Sequence, residues 1–249
     1  MAVYLRRMTQ GHWVALFAAT LLLWALLFLM ALPEMSLAVR GIDWLEAICS
    51  VTPGSAGWPT AVLMWALMSA AMMAPTALPA FSTYDDLPNT SGSGLATLIG
   101  GYLVVWMGFA SLAAALQVTL SGVGWLGALG QSQSVWLTAA LLGVAGVYQF
   151  SALKEACLSR CRAPLTFFLS HWEEGAFRNG LRLGADCLGC CWALMLLAFV
   201  GGTMNLAFMG LAMVLMTLEK LPDLGTHVTK PLGTGLVVLA LLTPFSLLF

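Results

Sequence analysis

Seven times along the sequence an apolar run of membrane-crossing length recurs: Trp13 to Leu32, Trp58 to Phe81, Leu98 to Ser121, Ser134 to Leu153, Leu183 to Gly201, Met204 to Leu221 and Leu232 to Phe249. At about 1.5 Å of rise per residue, roughly 20 residues cover the hydrocarbon core of a bilayer. Only 8% of the residues are charged and 60% are hydrophobic, against roughly 25% charged in a soluble domain. Side chains of such a chain must face lipid or one another, which excludes a soluble globular fold. The net charge of −1 is spread without a basic block, so no phosphate backbone can be tracked and nucleic acid is excluded as a partner. The expected fold is an all-α polytopic transmembrane helix bundle of about seven spans, treated as a single domain over 1–249, with the lipid bilayer as its solvent.

The span count rests on local signals. Arg6 and Arg7 precede the first run, which is longer than the roughly 7 to 15 residues of a signal-peptide core and ends in Pro33-Glu34, so an uncleaved first span is expected. Gly201-Gly202-Thr203, followed by Asn205, predicts a tight helical hairpin between the fifth and sixth runs; a continuous helix there would leave six spans. Seven spans put Arg6, Arg7, Lys154, Arg160, Arg162, Arg178, Arg182, Lys220 and Lys230 on one side and Arg40 on the other. The positive-inside rule makes the first side cytoplasmic, with the N-terminus on it and the acidic segment 33 to 57 opposite. Between spans four and five, Leu165, Phe168, Leu169 and Trp172 recur at helical spacing beside Glu173, Glu174 and Arg178, which predicts an interfacial amphipathic helix.

Chemistry-bearing residues concentrate on that same side. Cys157 and Cys161 are spaced i, i+4, and Cys187, Cys190 and Cys191 open the fifth run; both spacings place thiols on one helix face. A reducing compartment disfavours a disulfide framework, leaving metal binding, transient redox chemistry or plain packing as readings of these thiols. Cys49 stands apart in the outer segment. Met64, Met68 and Met72 form a stripe at i, i+4, i+8 with Met73 beside them, on a helix expected to end at Ala74-Pro75; Met209, Met213 and Met216 form a second stripe. Flexible filler explains such stripes, yet thiolates with thioethers select soft ions, Cu(I) above all. Tyr148, Gln149 and His171 are accessory candidates, with capping, interhelical hydrogen bonding or an interfacial position as their simpler roles. Gln117 and Asn205 read the same way, and Glu219 is expected to pair with Lys220 or Arg182.

Trp65-Ala-Leu-Met-Ser-Ala-Ala-Met-Met-Ala-Pro75, Gly101-Tyr-Leu-Val-Val-Trp106, Gly146-Val-Tyr-Gln149, Leu153-Lys-Glu-Ala-Cys157, Cys161-Arg162, His171-Trp172, Cys187-Leu-Gly-Cys-Cys-Trp-Ala-Leu-Met195, Met204-Asn205 and Glu219-Lys220 resemble together an uncharacterised bacterial family of predicted metal-binding integral membrane proteins. The resemblance covers about residues 60 to 232 and implies about seven helices, a metal site and a place in the bacterial cytoplasmic (inner) membrane. No nucleophile elbow, Walker loop, zincin helix or dinucleotide fingerprint occurs, so a non-enzymatic role leads.

The leading expectation is a protein that binds or transports a soft metal, foremost Cu(I), with Cys157, Cys161, Cys187, Cys190 and Cys191 as thiolate ligands and Met72 and Met73 as thioether ligands. Met68, His171, Tyr148, Gln149 and Glu219 stand behind them. A metal chaperone or a membrane complex is the partner such a protein implies. The alternatives are a membrane thiol-disulfide oxidoreductase cycling Cys187 and Cys190 with Cys157 and Cys161, and a structural subunit of a larger complex.

Overall fold

The computed structural model describes residues 11–30, 57–87, 92–127, 129–203, 205–222 and 224–247. In chain order its helices are α1 (Gly11–Met30), α2 (Trp58–Asp85), α3 (Gly92–Gly122), α4 (Val135–Tyr148), α5 (Ala152–Arg162), α6 (Pro164–Ser170), α7 (Ala176–Leu196), the single turn α8 (Ala198–Gly201), α9 (Leu206–Lys220) and α10 (Gly225–Leu242). Each of the seven apolar runs carries a helix, and among the described residues extended pairing is limited to an isolated Leu126–Ser132 bridge. Arg6, Arg7, Arg40, Cys49, Met204 and nearly all of segment 33 to 57 lie outside the described residues.

Four helices are long and apolar enough to cross a membrane: Trp58–Asp85, Ser93–Gly122, Ala176–Gly201 and Gly225–Phe245. The fourth run is not a straight span, because α4 and α5 meet at 62° and make a fifth crossing only if the bent pair is one. Ser151 causes the restart: its hydroxyl accepts the Lys154 amide at 3.1 Å and caps α5 in a new direction. The expected hairpin is present. Gly202 sits at φ +93°, where an L side chain is strained, and the Asn205 side chain caps α9 by accepting the Phe208 amide at 3.1 Å. At 15 residues α9 is shorter than a full crossing.

The interfacial helix is shorter than expected and its stripe is divided. Pro164 opens α6, a 3-10 turn over Trp172–Glu174 replaces its continuation, and Gly175 at φ +83° ends it. Phe168 is fully buried and meets Tyr84 at 5.2 Å between ring centroids, whereas Leu165 and Leu169 stay exposed. Phe167, not part of the predicted stripe, is buried as well.

The second helix runs past the point where proline was expected to stop it, continuing through Pro75 and Pro79 to Asp85. Each proline removes an amide and frees the carbonyl four residues earlier. For Pro75 that carbonyl is Ala71, and the Trp24 indole of α1 donates to it at 3.0 Å. Neighbouring helices can thus carry a proline inside an apolar helix.

At the centre, α7 crosses α3 at close range. A Cβ at Gly180 would collide with the Leu98 carbonyl, one at Gly101 with the Phe177 carbonyl, and one at Gly184 would lie 3.0 Å from Val105. Small residues four apart let two helix backbones approach closely. Helix α2 packs on the other side of α3, and Trp65 donates to Gln117 across that seam at 2.6 Å. The most apolar stretch of the α7 span is 67% buried against 17% for α10, so α7 is enclosed and α10 peripheral. Leu103, Val104, Met107 and Leu112 of α3 point outward and are exposed.

Candidate metal centre

Positions 187, 190 and 191 fall on one face of α7, and their sulfurs all lie within 4.8 Å of one another. All three residues are at most 2% exposed. The Cys190 and Cys191 thiols donate to the Cys187 carbonyl at 3.0 and 2.8 Å, which holds both sulfurs beside the third. The group does not open its helix, as the apolar run implied. Helix α7 starts at Ala176, ahead of Leu183, because its early arginines avoid the core: Arg178 is exposed and Arg182 pairs with Glu174 at 2.7 Å. The cysteines therefore sit midway along the helix, inside the bundle.

From α2, Met73 reaches the group, its Sδ 3.7 Å from Cys191 Sγ. Met72 does not. One residue on a helix turns by 100°, so Met72 instead faces a void of about 10 Å³ with Met68, Met195 and Met209. The two adjacent methionines expected to act together are separated, and Met68 goes with Met72.

The other cysteine pair divides in the same way. Helix α5 lies along the first half of α7, with Arg160 on Asp186 at 2.8 Å. Cys161 lines the same cleft as Cys187. Cys157 packs behind α7 against Gly189, where a Cβ would run into its sulfur; it is outside the group of close sulfurs. The described cysteines are all free thiols.

Among the accessory candidates, Tyr148 donates to the Gly189 carbonyl and stacks edge-on against Trp192, so it braces α7 from behind the cysteines. Gln149 is buried with neither side-chain polar atom bonded among the described residues. The His171 ring is taken up by the Phe167 carbonyl and Ser170, both at 2.9 Å, away from the sulfurs. Glu219 pairs with neither Lys220 nor Arg182. It meets Lys154 of α5 at 2.8 Å, both side chains almost wholly buried, because residues 219 and 220 leave their helix in different directions.

The contacts of three residues, Lys220, Thr76 and Tyr102, went unread in the sequence. Lys220 donates to Cys187 Sγ at 3.0 Å and to Thr76 Oγ1 at 2.7 Å. Thr76 in turn donates its hydroxyl to the Met73 carbonyl at 3.0 Å. The Tyr102 hydroxyl lies 3.1 Å from Cys187 Sγ and 3.3 Å from the Met73 carbonyl. The signal for Lys220 was present: an ionisable group beside an apolar run reads as functional. For Tyr102 it was the pair of glycines, Gly101 and Gly180, that lets α3 approach α7.

Lys220, Cys187 and Cys161 line a cleft of about 220 Å³ together with Thr76 and Pro79 of α2, Tyr102 of α3 and Arg162 of α5. The donors that converge are sulfurs: three thiols and a thioether. Soft donors of this kind suit Cu(I), which needs only two or three of them, and suit Mg²⁺ or Ca²⁺ poorly.

A family model described as PpoB2, a copper chaperone, matches residues 62–243. No curated protein and no solved structure matches the chain.

Proposed function

Since the chain belongs to the PpoB2 copper chaperone family, we propose that it is a membrane protein that holds Cu(I) as cargo on Cys187, Cys190 and Cys191, with Met73 as a thioether ligand and Cys161 as the thiol through which the ion enters or leaves. The observation that carries this reading is the convergence of three buried thiol sulfurs within 4.8 Å of one another, with the Met73 sulfur 3.7 Å from one of them. Thiolates bind Cu(I) strongly and thioethers weakly. Cys161, on the cleft that Cys187 also lines, supports exchange of an ion between the buried group and a partner outside. Cys157 and Met72 are left to packing.

The setting is a bacterial cytoplasmic membrane, with the cleft turned to the cytoplasm and a metal chaperone or membrane complex as exchange partner. The basic residues support this side: Lys154, Arg160, Arg162, Arg178, Arg182 and Lys220 cluster around α5, the start of α7 and the end of α9. A cytoplasm-active reporter at Gln131, between α3 and α4, should be silent; activity there turns the site to the other face.

Copper per chain, measured on protein purified under reducing conditions, tests the site. Wild-type protein should hold one Cu(I), Cys187→Ser with Cys190→Ser should hold none, and Cys157→Ser should be unaffected. A wild-type protein that holds no copper but cycles a Cys187–Cys190 disulfide would replace this reading by thiol-disulfide exchange.

A further inference from the structure

From the contacts of one ammonium group, we infer that Lys220 is a specificity-determining residue of the sulfur site, selecting a monovalent soft ion over a divalent one by supplying the site's one balancing positive charge. The inference rests on the copper-binding reading above and deepens it. Among the described residues, the other cations near the site are already matched by carboxylates: Lys154 by Glu219, Arg160 by Asp186 and Arg162 by Glu155. Lys220 is different. Its ammonium is held by Thr76 Oγ1 at 2.7 Å and by Cys187 Sγ at 3.0 Å, with no carboxylate among its ion pairs.

Charge counting gives this position its meaning. Loading Cu(I) from solution onto two of the three thiols, with the third keeping its proton as a neutral donor, forms two copper–thiolate bonds, breaks two S–H bonds and releases two protons to water. The product carries one negative charge, and the thioether of Met73 adds none. A buried anion without a partner is strongly disfavoured, and one ammonium at 3.0 Å from the sulfur makes the centre neutral. Zn(II) or Cd(II) on the same two thiolates is already neutral, so Lys220 would leave a net positive charge among apolar helices. A third thiolate would restore neutrality for the divalent ion only by removing another proton from a buried thiol. The lysine therefore favours monovalent Cu(I) and opposes divalent competitors, which is selection through a built-in repulsion.

Three variants test this in detergent-purified, reduced protein, with Cu(I) and Cd(II) affinities measured by chelator competition. Lys220→Met removes the charge and the hydrogen bonds, Lys220→Gln removes the charge while keeping a donor, and Lys220→Arg keeps the charge. The preference for Cu(I) over Cd(II) should fall by about tenfold or more in the Met and Gln variants, since charge at contact distance acts strongly away from water. It should stay near wild type in Lys220→Arg. If Lys220→Met does not fold, the Gln and Arg pair decides alone. An unchanged preference in Lys220→Gln overturns the inference and leaves the copper site standing, whereas a wild-type protein that binds no Cu(I) overturns the site itself.

Discussion

At the scale of single residues, two buried neighbours on a helix differ in which one faces the cysteines. Met73 meets Cys191 and Met72 does not. Replacing either by Leu keeps volume and costs under about 1.5 kcal/mol of packing. Met73→Leu should weaken Cu(I) binding by about tenfold, near 1.4 kcal/mol, while Met72→Leu leaves it unchanged; competition against a Cu(I) chelator reads both. Equal effects would mean that the methionines act as filler. The sequence marked both sulfurs but offered no way to choose, since a stripe at i, i+4, i+8 fixes which residues share a face and not where that face points. The same blindness hid the partner of Glu219. Adjacency to Lys220 suggested a pair, but the pairing is made across space to Lys154, from an element whose direction depends on the bend before it.

Between elements, glycine placement sets how near the helices come. In α3, a Cβ at Gly101 collides with α7 backbone, while one at Gly108 meets nothing within 4 Å. Gly108→Ala should therefore stabilise the protein by up to about 1 kcal/mol through helix propensity. Gly101→Ala should destabilise it by about 1–3 kcal/mol through overpacking and move Tyr102 away from Cys187. Thermal unfolding of the two variants in detergent should shift in opposite directions; shifts of the same sign would contradict the close crossing. Helix positions were legible because apolar runs and caps such as Ser151 and Asn205 are local signals. Lengths were not: α2 runs through Pro75 because a tryptophan from α1 satisfies the freed carbonyl, and α7 starts before its apolar run because Arg182 finds Glu174. Both depend on partners distant from the signal.

Across the whole molecule, a buried ion pair joins parts that are far apart in sequence. Lys154 and Glu219 meet at 2.8 Å with almost no exposure. Removing one partner leaves an uncompensated charge, so Lys154→Met should cost about 3–5 kcal/mol, whereas Lys154→Met with Glu219→Leu should recover most of it. A double variant no more stable than the single would show that the pair contributes nothing beyond its packing. The bundle itself could be anticipated from composition; the meeting of α5 with α9 could not, because no pattern records which buried charges find each other.

That ion pair also bears on time. It clamps α5, which carries Cys161, to α9, which carries Lys220, so two walls of the cleft part only by stranding both charges. Helix α2 borders the same cleft alongside α3 and α7, and there Pro79 removes the backbone amide that would bond to the Pro75 carbonyl, next to Thr76. On the copper-binding reading, the residence time of a captured ion should then depend on the α2 turn at Pro79, and the strength of its hold on the cysteines.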